Sequence, residues 1–492
     1  MTTGNRRGEI RACAAVLFLL GALGASPAEA ATCLVSTAGN DGNSCCTTIN
    51  PCLTIQAAVN QATAGDTVSV AAGTYPESAG GPLAINKSLI LKGAQAGVDA
   101  RTRVGAESII ADSQGTSVSA SNVVIDGFTI QGSTNAAFTG YGVWLNPGVS
   151  GTQVVNNIFQ NNIVGLGIAN AGPSQLLIQY NLFQSNNQPG GASGSGIYTD
   201  QYVGGAVTNV LVADNAFKGN NNSGIDLSNT DAMQGVSNVE VRDNSFDMNG
   251  RAFDIFNTHT LMFHDNSVTN CTLAMSAALR IFDFNSDVTI VNNDLVGGVG
   301  NGIRLSDLGI VGGPSSNVQI HFNNIAPFDL DGLVVDANSH VGTGSATCNW
   351  WGAASGPTNP SNPGGTGEAV VGDADFDPWL IGLAPDGPCG PPTPTPTSAP
   401  TRTPTGTGGQ GEMCTDPSQC RGNLFCADGV CCDTPCDQPG QSCILPDQVG
   451  RCGFPQAAPA TSGPTQIAIV ALLVATGWLG LRALRRSGSD QP

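Results

Sequence analysis

The segment VADNAFKGNNNSGIDL (212–227) contains both halves of the repeat that decides the fold of this chain. In the first half, an apolar residue stands three positions before an asparagine that opens an Asn-x-Phe motif. The second half reads Gly-Ile-x-Leu. Each half alternates apolar and polar residues over a few positions, as a half-buried β-strand does. The segment therefore predicts two short strands separated by a turn.

The same order recurs along the middle of the chain. The Asn-x-(Phe or aliphatic) motif begins at Asn157, Asn181, Asn215, Asn244, Asn266, Asn293 and Asn323. The second strand follows as GVWL (142–145), GLGI (165–168), GIYT (196–199), GIDL (224–227), AFDI (252–255), ALRI (278–281), GIRL (302–305) and GLVV (332–335). Two short strands per irregular repeat of ~20–30 residues are typical of a parallel β-helix. A β-sandwich also has short strands, but it would not repeat the same two motifs in the same order eight times. The asparagines are expected at turns, where they tolerate a left-handed backbone and can stack their amides.

The segments on either side of the repeats fit this solenoid. Ile55, Ala58, Val59 and Ala62 have helical spacing and predict an amphipathic helix that caps the N-terminal end. TIQAAVNQATAGDTVSVAAGTYPES (54–78) resembles the start of the pectin-lyase-like right-handed β-helix family. CNWWGAASGP (348–357) with DFDPWL (375–380) is similar to the closing segment of bacterial surface β-helix proteins. The resemblance covers about residues 33–385, and it implies the architecture while saying little about chemistry.

The two ends of the chain predict export and tethering. Residues 1–30 have the charged start, the apolar stretch and the A-x-A site of a secretory signal peptide. Residues 467–486 are apolar and end in a basic tail, which predicts a transmembrane or sorting helix with the body outside the cytoplasm. The apolar run is short for a bilayer span, and it resembles the C-terminal sorting tags of bacterial surface proteins, which can be cleaved.

The predicted chain is thus all-β, with a right-handed parallel β-helix, an N-terminal capping helix, a small disulfide-rich module and a C-terminal hydrophobic helix. Its predicted domains are a signal peptide (1–30), the β-helix (31–390), a Pro/Thr-rich linker (391–412), the Cys-rich module (413–453), a spacer (454–466) and the C-terminal helix (467–486).

Fifteen cysteines follow the predicted signal peptide, and an odd number leaves at least one thiol unpaired within the chain. Cys271 is the candidate, because it stands alone inside the repeats. Disulfides suit an exported chain, and eight cysteines within a short segment predict a stapled module. The disulfide candidates are Cys33, Cys45, Cys46, Cys52, Cys348, Cys389, Cys414, Cys420, Cys426, Cys431, Cys432, Cys436, Cys443 and Cys452. The sequence leaves their pairing open.

Composition excludes several classes of protein. The chain has 18 Lys and Arg against 37 Asp and Glu, a formal net charge of −19. A nucleic-acid binder needs a basic surface to neutralise phosphates, so nucleic acid is not an expected partner. The 65 glycines argue against a helical bundle, because glycine is a poor helix former.

The x position of Gly-Ile-x-Leu points away from the core and defines a candidate site. Read along the stack, it gives Trp144, Gly167, Tyr198, Asp226, Asp254, Arg280, Arg304 and Val334. We call these residues the outer column, and we expect them to form an exposed stripe, because adjacent strands are ~4.8 Å apart. Aromatic residues stack on sugars, while paired carboxylates with an arginine can perform acid/base chemistry or bind Ca²⁺.

Two interpretations of the outer column remain open. In one, Asp226, Asp254 and Arg280 are catalytic, Asp226 and Asp254 hold a Ca²⁺ ion, and Trp144, Tyr198 and Arg304 bind the substrate. In the other, the charged residues form a ladder of ion pairs that contributes about 0–1 kcal/mol per pair and needs no ligand. No catalytic signature of a known polysaccharide-active family supports the first interpretation.

The sequence therefore predicts an exported, surface-tethered β-helix for display, adhesion or non-catalytic binding of an extracellular polysaccharide. The first alternative is a polysaccharide lyase or glycoside hydrolase that works on the side of the β-helix. The second is a purely structural surface spacer, which would bind no ligand.

Overall fold

The computed structural model describes residues 30–77, 81–135, 140–309 and 313–390, together with 410–416, 419–420, 424–433, 436, 441–444 and 449–452. The chain divides into two compact units, Met1–Pro392 and Thr393–Pro492. Residues 1–29 of the predicted signal peptide, 391–409 of the predicted linker, the spacer and the predicted C-terminal helix lie outside the described residues. Within the described residues, no helix has the length and apolar character needed to cross a membrane.

The first unit contains helix α1 (Ile55–Gln61) and parallel strands. The early strands are β1 (Thr32–Val35), β2 (Thr67–Val70), β3 (Gly73–Tyr75), β4 (Leu83–Ile85), β5 (Ile90–Lys92), β6 (Ser108–Ala111), β7 (Thr116–Val118), β8 (Val124–Asp126), β9 (Phe128–Gln131), β10 (Tyr141–Leu145), β11 (Gln153–Val155) and β12 (Ile158–Gln160). The middle strands are β13 (Val164–Gly167), β14 (Leu176–Gln179), β15 (Leu182–Gln184), β16 (Ser195–Thr199), β17 (Val207–Ala213), β18 (Ala216–Lys218), β19 (Ser223–Ser228), β20 (Val236–Arg242), β21 (Ser245–Asp247), β22 (Arg251–Phe256), β23 (Thr258–His264) and β24 (Ser267–Cys271). The late strands are β25 (Ala277–Ile281), β26 (Ser286–Val291), β27 (Asp294–Gly298), β28 (Asn301–Leu305), β29 (Ser316–His321), β30 (Asn324–Ile325), β31 (Leu333–Val335), β32 (Gly344–Ser345), β33 (Pro357–Thr358), β34 (Gly367–Gly372) and β35 (Ala374–Asp375).

These strands form three long sheets that the chain visits in turn. Sheet A has the order β1-β2-β5-β8-β11-β14-β17-β20-β23-β26-β29-β32-β35, sheet B has β3-β6-β9-β12-β15-β18-β21-β24-β27-β30, and sheet C has β33-β34-β31-β28-β25-β22-β19-β16-β13-β10-β7-β4. In one coil, β17 lies in sheet A, β18 in sheet B and β19 in sheet C, and each pairs in parallel with the same strand of the next coil. The predicted parallel solenoid is confirmed.

The repeated asparagines form a buried ladder along the axis. From Asn181 to Asn323, the side-chain Oδ1 of each accepts a hydrogen bond from the main-chain N–H of the asparagine one coil earlier, at 2.8 to 3.0 Å. The expectation of a left-handed backbone at these asparagines is wrong by one position, because the preceding residue has the positive φ, as at Tyr180 (58°) and Asp214 (53°). That turn aims the amide inward, where it replaces water as the partner of buried main-chain groups.

Phenylalanines fill the core beside this ladder. Phe159, Phe183, Phe217 and Phe246 occupy the Asn-x-Phe positions of successive coils and are almost fully buried. Their rings stack with centroids 4.7 to 4.9 Å apart, which is the spacing of the strands that carry them. The third residue of the motif therefore points into the core at every one of these coils.

Helix α1 occupies the predicted segment near the start of the chain. Its N-cap is Thr54, whose side chain accepts a hydrogen bond from the N–H of Ala57. The Glu77 carboxylate accepts two more, from the N–H groups of Ile55 (2.8 Å) and Gln56 (3.0 Å). These bonds satisfy donors that the first turn of a helix leaves free. The helix ends at Gln61, and the predicted helical residue Ala62 is its C-cap.

All fourteen disulfide candidates are paired. The seven bonds are Cys33–Cys46, Cys45–Cys52, Cys348–Cys389, Cys414–Cys426, Cys420–Cys431, Cys432–Cys443 and Cys436–Cys452. Cys271 is a free, buried cysteine, as predicted. In the second unit, four of these bonds surround an antiparallel pair, β36 (Phe425–Ala427) and β37 (Val430–Cys432). The prediction of a disulfide-rich module is confirmed.

Candidate functional site

The outer column lies in one row on sheet C. From β10 to β31, Trp144, Gly167, Tyr198, Asp226, Asp254, Arg280, Arg304 and Val334 are successive register partners. The spacing of Gly-Ile-x-Leu therefore aligned the candidate residues correctly. An aromatic end, an acidic centre and a basic end follow one another along the sheet.

The centre of this row is not exposed, which corrects the expectation of a continuous open stripe. Asp226 is 6% exposed and Asp254 is 1% exposed, whereas Arg280 and Arg304 are half-buried. The alternation of a strand predicts on which side a residue lies, but not what covers it. Here Arg251 and Arg280 lie against the Asp254 carboxylate, while Asn222 and Ser228 contact that of Asp226.

Asp254 is the centre of an ion-pair network. The Arg280 guanidinium binds it with two nitrogens, Nε to Oδ1 at 3.0 Å and Nη2 to Oδ2. Arg251 Nη1 lies 3.6 Å from Oδ2 of the same carboxylate. Arg251 is itself held by Asn222 Oδ1 (2.6 Å) and Ser276 Oγ (2.7 Å). This two-pronged geometry fixes the direction of Arg280, since its planar fork matches a carboxylate.

Asp226, the register partner of Asp254, has no cationic side chain in direct contact among the described residues. Ser228 Oγ donates a hydrogen bond to its Oδ1, and Asn222 Nδ2 lies 3.4 Å from its Oδ2. Burial, followed by the negative charge of Asp254, raises the pKa of Asp226 to about 7. A carboxylic acid that keeps its proton near neutral pH has the property needed of a general acid.

The raised pKa of Asp226 predicts a pH-dependent stability. The folded state holds this proton up to about pH 7, whereas the unfolded chain releases it near pH 4. Stability from this group is therefore present below pH 4 and lost as the pH rises to about 7. We expect the unfolding free energy of the wild type, relative to Asp226→Asn, to fall across that window. Urea titrations of both proteins between pH 4 and 8 measure the difference, and a constant difference would contradict the account.

The aromatic end of the row is a small apolar cluster on the outer face of sheet C. Trp144 and Tyr198 are half-buried and flank Gly167. Tyr141 and Val203 pack over that glycine, where a Cβ would meet their side chains at 3.1 and 3.2 Å. Trp144 Nε1 donates to the carbonyl of Val203 (3.0 Å), and the Tyr198 hydroxyl donates to Asp200 (2.9 Å). Both rings are thus fixed in place with part of their surface open.

The basic end carries a second ion pair. Arg304 binds Asp336 with two nitrogens, at 3.0 and 3.1 Å, and both side chains are partly exposed. Arg280 also lies over the Phe282 ring, 4.0 Å from its centroid. Each arginine of the column therefore has an acidic partner, but only the Asp254–Arg280 pair belongs to the predicted ladder of opposite charges, because Arg304 pairs with Asp336 outside it.

Sequence reasoning missed two members of the site. Arg251 and Tyr141 occupy the position before the first residue of the Gly-Ile-x-Leu motif (Ala252 and Gly142), a position that the outer column leaves out. Their register equivalents in neighbouring coils are small or apolar, namely Ser223, Val164 and Ala277. Reading this position along the stack as a second column would have revealed Arg251 as the one charged residue between Ser223 and Ala277.

The described residues contain no grouping of three or more His, Cys, Asp or Glu side chains suited to a metal ion, apart from cysteines that are disulfide-bonded. Asp226 and Asp254 bring two carboxylates together, and Arg251 and Arg280 already balance one of them. Calcium binding at this pair stays a prediction.

Residues 101–272 match a protein-family model described as right handed beta helix region. The chain is a right-handed parallel β-helix protein. The match covers the coils that carry Trp144, Tyr198, Asp226 and Asp254. None of the curated proteins that were compared matches this β-helix protein.

Several solved structures are similar to the chain at low identity. Dettilon tailspike protein (gp208) is 12% identical with a TM-score of 0.41, and the match covers 64% of each chain. The A-module of the mannuronan C-5 epimerase AlgE6 from Azotobacter vinelandii is 14% identical with a TM-score of 0.40, covering 66% of this chain and 96% of that module. The pectate lyase Pel9A is 13% identical with a TM-score of 0.28, covering 71% of this chain and 80% of that one.

Proposed function

We propose that this β-helix is exported and binds an extracellular polysaccharide on the outer face of sheet C without cleaving it. The observation that carries the proposal is the order of residues along the row. Two half-buried aromatic rings are followed by a buried ion-pair centre and by two arginines whose directions are fixed by carboxylates. Aromatic faces stack on sugar rings, and a fixed guanidinium binds hydroxyl or carboxylate oxygens with two parallel bonds. The buried Asp254 then serves to hold Arg280 in place.

Export is supported by the disulfides of both units. Seven bonds form and persist only in an oxidising compartment, and they agree with the predicted signal peptide at 1–30. The predicted helix at 467–486 would tether the chain to a membrane or cell surface for display or adhesion. Helix α1, which contacts β1, β2 and β4, would cap the N-terminal end of the solenoid.

One observation favours the enzyme alternative. Asp226 and Asp254 are register neighbours with different partners: Asp254 is ion-paired with Arg280, while burial raises the pKa of Asp226. Such a pair can supply a general acid and a stabilising carboxylate to a lyase or hydrolase. Near-complete burial argues against this role, because a catalytic acid has to reach the glycosidic oxygen.

The aromatic end provides the test of binding. Trp144→Ala removes the larger ring, and we expect at least a tenfold loss of affinity for the polysaccharide. Truncating a central aromatic residue of an interface commonly has an effect of this size. Affinity electrophoresis of the full chain, with and without Ca²⁺, measures the change. The matched control is Tyr180→Ala, which removes an exposed ring at the turn between β14 and β15, away from sheet C. Equal losses in both variants, or none in Trp144→Ala, would contradict the proposal.

A further inference from the structure

A pocket lies where sheets B and C end, far from the aromatic end of the outer column. Its walls include Phe328 and Leu330, which follow β30, and Trp350, Trp351 and Glu368 on the other side. Glu368 belongs to β34, which lies eight strand steps from β10 along sheet C, or ~38 Å. The pocket is therefore remote from the aromatic end of that site, although β34 lies only two strand steps, or ~10 Å, from Arg304 on β28.

The main chain holds the aromatic wall of this pocket. Trp350 donates its N–H to the carbonyl of Asn323 (2.9 Å) and accepts a hydrogen bond from the N–H of Ile325 (2.8 Å). The indole of Trp350 and the ring of Phe328 are both half-buried. They give the pocket a rigid aromatic surface with one side open.

The opposite wall offers a fixed carboxylate. Glu368 donates its N–H to the carbonyl of Trp351 (2.7 Å), and its Oε1 accepts from the N–H of Phe328 (3.2 Å). Burial, followed by the negative charge of Asp331, raises the pKa of Glu368. A carboxylate held in this way accepts strong hydrogen bonds from hydroxyl groups.

We propose that this pocket binds one neutral sugar ring. Its face stacks on Trp350, and one hydroxyl donates to Glu368. A sugar ring offers both an apolar face and hydroxyl donors, so it matches this combination of an indole and a carboxylate acceptor. None of the described lining residues is basic, and Glu368 repels anions, so an acidic sugar is disfavoured. The site is distinct from the aromatic end of the outer column.

The test uses the full chain with the methyl glycosides of glucose, galactose and mannose as probes. Saturation-transfer NMR titrations measure the Kd of each. We expect at least one glycoside to bind in the millimolar range, and Trp350→Ala to weaken it at least tenfold. Glu368→Gln keeps the shape of the side chain and the acceptor for Phe328, but lacks the charge, so we expect about fivefold to tenfold weaker binding.

Trp144→Ala is the control, because it alters the outer column and leaves the pocket intact. It should bind the glycoside as the wild type does, while Trp350→Ala should still be retained on the polysaccharide. If Trp350→Ala fails to fold, the affinity of Glu368→Gln for the glycoside alone tests the proposal. Absence of binding by all three glycosides, or wild-type affinity in Glu368→Gln, would overturn the proposal for the pocket. Neither result would contradict the proposal that sheet C binds a polysaccharide.

Discussion

Replacing Asp254 by alanine is expected to lower the free energy of unfolding by about 3–5 kcal/mol. Asp254 is 1% exposed and is the shared partner of Arg280 and Arg251. Without it, two guanidinium groups remain close together, and Arg251 stays buried without its carboxylate. Breaking a buried ion pair on one side is costly because the remaining charge has lost its compensation. Equilibrium unfolding in urea, followed by circular dichroism, measures the loss.

The matched control for Asp254→Ala is Asp336→Ala, which lies directly after β31, three coils further along sheet C. Asp336 binds Arg304 with the same two-pronged geometry, but both side chains are about one third exposed. Water replaces the lost contacts there, so we expect a change of only about 0–1 kcal/mol. Similar losses in the two variants would show that Asp254 is not a buried centre of charge.

Replacing Asn215 by alanine is expected to lower the free energy of unfolding by about 3–6 kcal/mol. Its Oδ1 accepts from the main-chain N–H and the side chain of Asn181 (2.9 and 3.0 Å). Its Nδ2 donates to the carbonyls of Ile178 and Ala213 (both 2.9 Å) and to Asn244 (3.0 Å). Each buried group that loses its partner costs about 1–3 kcal/mol, and alanine supplies no replacement.

Gln160 gives the control for the asparagine ladder. It also hydrogen-bonds along the stack, to Gln131 and Gln184 (both 2.7 Å), but all three side chains are only half-buried. Gln160→Ala should therefore change stability by less than about 1 kcal/mol. If Asn215→Ala costs as little as Gln160→Ala, the buried ladder does not stabilise the solenoid in the way proposed.

The fold was predictable because one physical requirement repeats in every coil. Each coil has to bury its apolar positions against the next, so Asn215-Ala216-Phe217 and Gly224-Ile225-Asp226-Leu227 recur with the same order. The position of the left-handed residue was missed. Asp214 and Tyr180 adopt that conformation one position before the asparagine, since the turn has to be complete before the amide can point inward.

The sequence predicted that the site residues lie in one row, but it did not predict how deeply they are buried or which side chains surround them. Register follows from the repeat, so Tyr198, Asp226 and Asp254 were placed correctly beside one another. Burial of the two acids depends on Arg251 and on turn residues such as Asn222, which lie outside the repeated motif. Residues outside the repeat do not recur at a fixed spacing, so a single sequence does not show which side chains they bury.

The central claim is that sheet C binds a polysaccharide and does not cleave it. The decisive measurement incubates the full chain with a panel of acidic and neutral polysaccharides and follows, in one assay, retention of the protein and the appearance of unsaturated or reducing ends. The account predicts retention on at least one polysaccharide with no new ends. New ends that disappear in Asp226→Asn would contradict it and identify the acidic pair as an active site, and a lack of retention on every polysaccharide would favour the structural spacer.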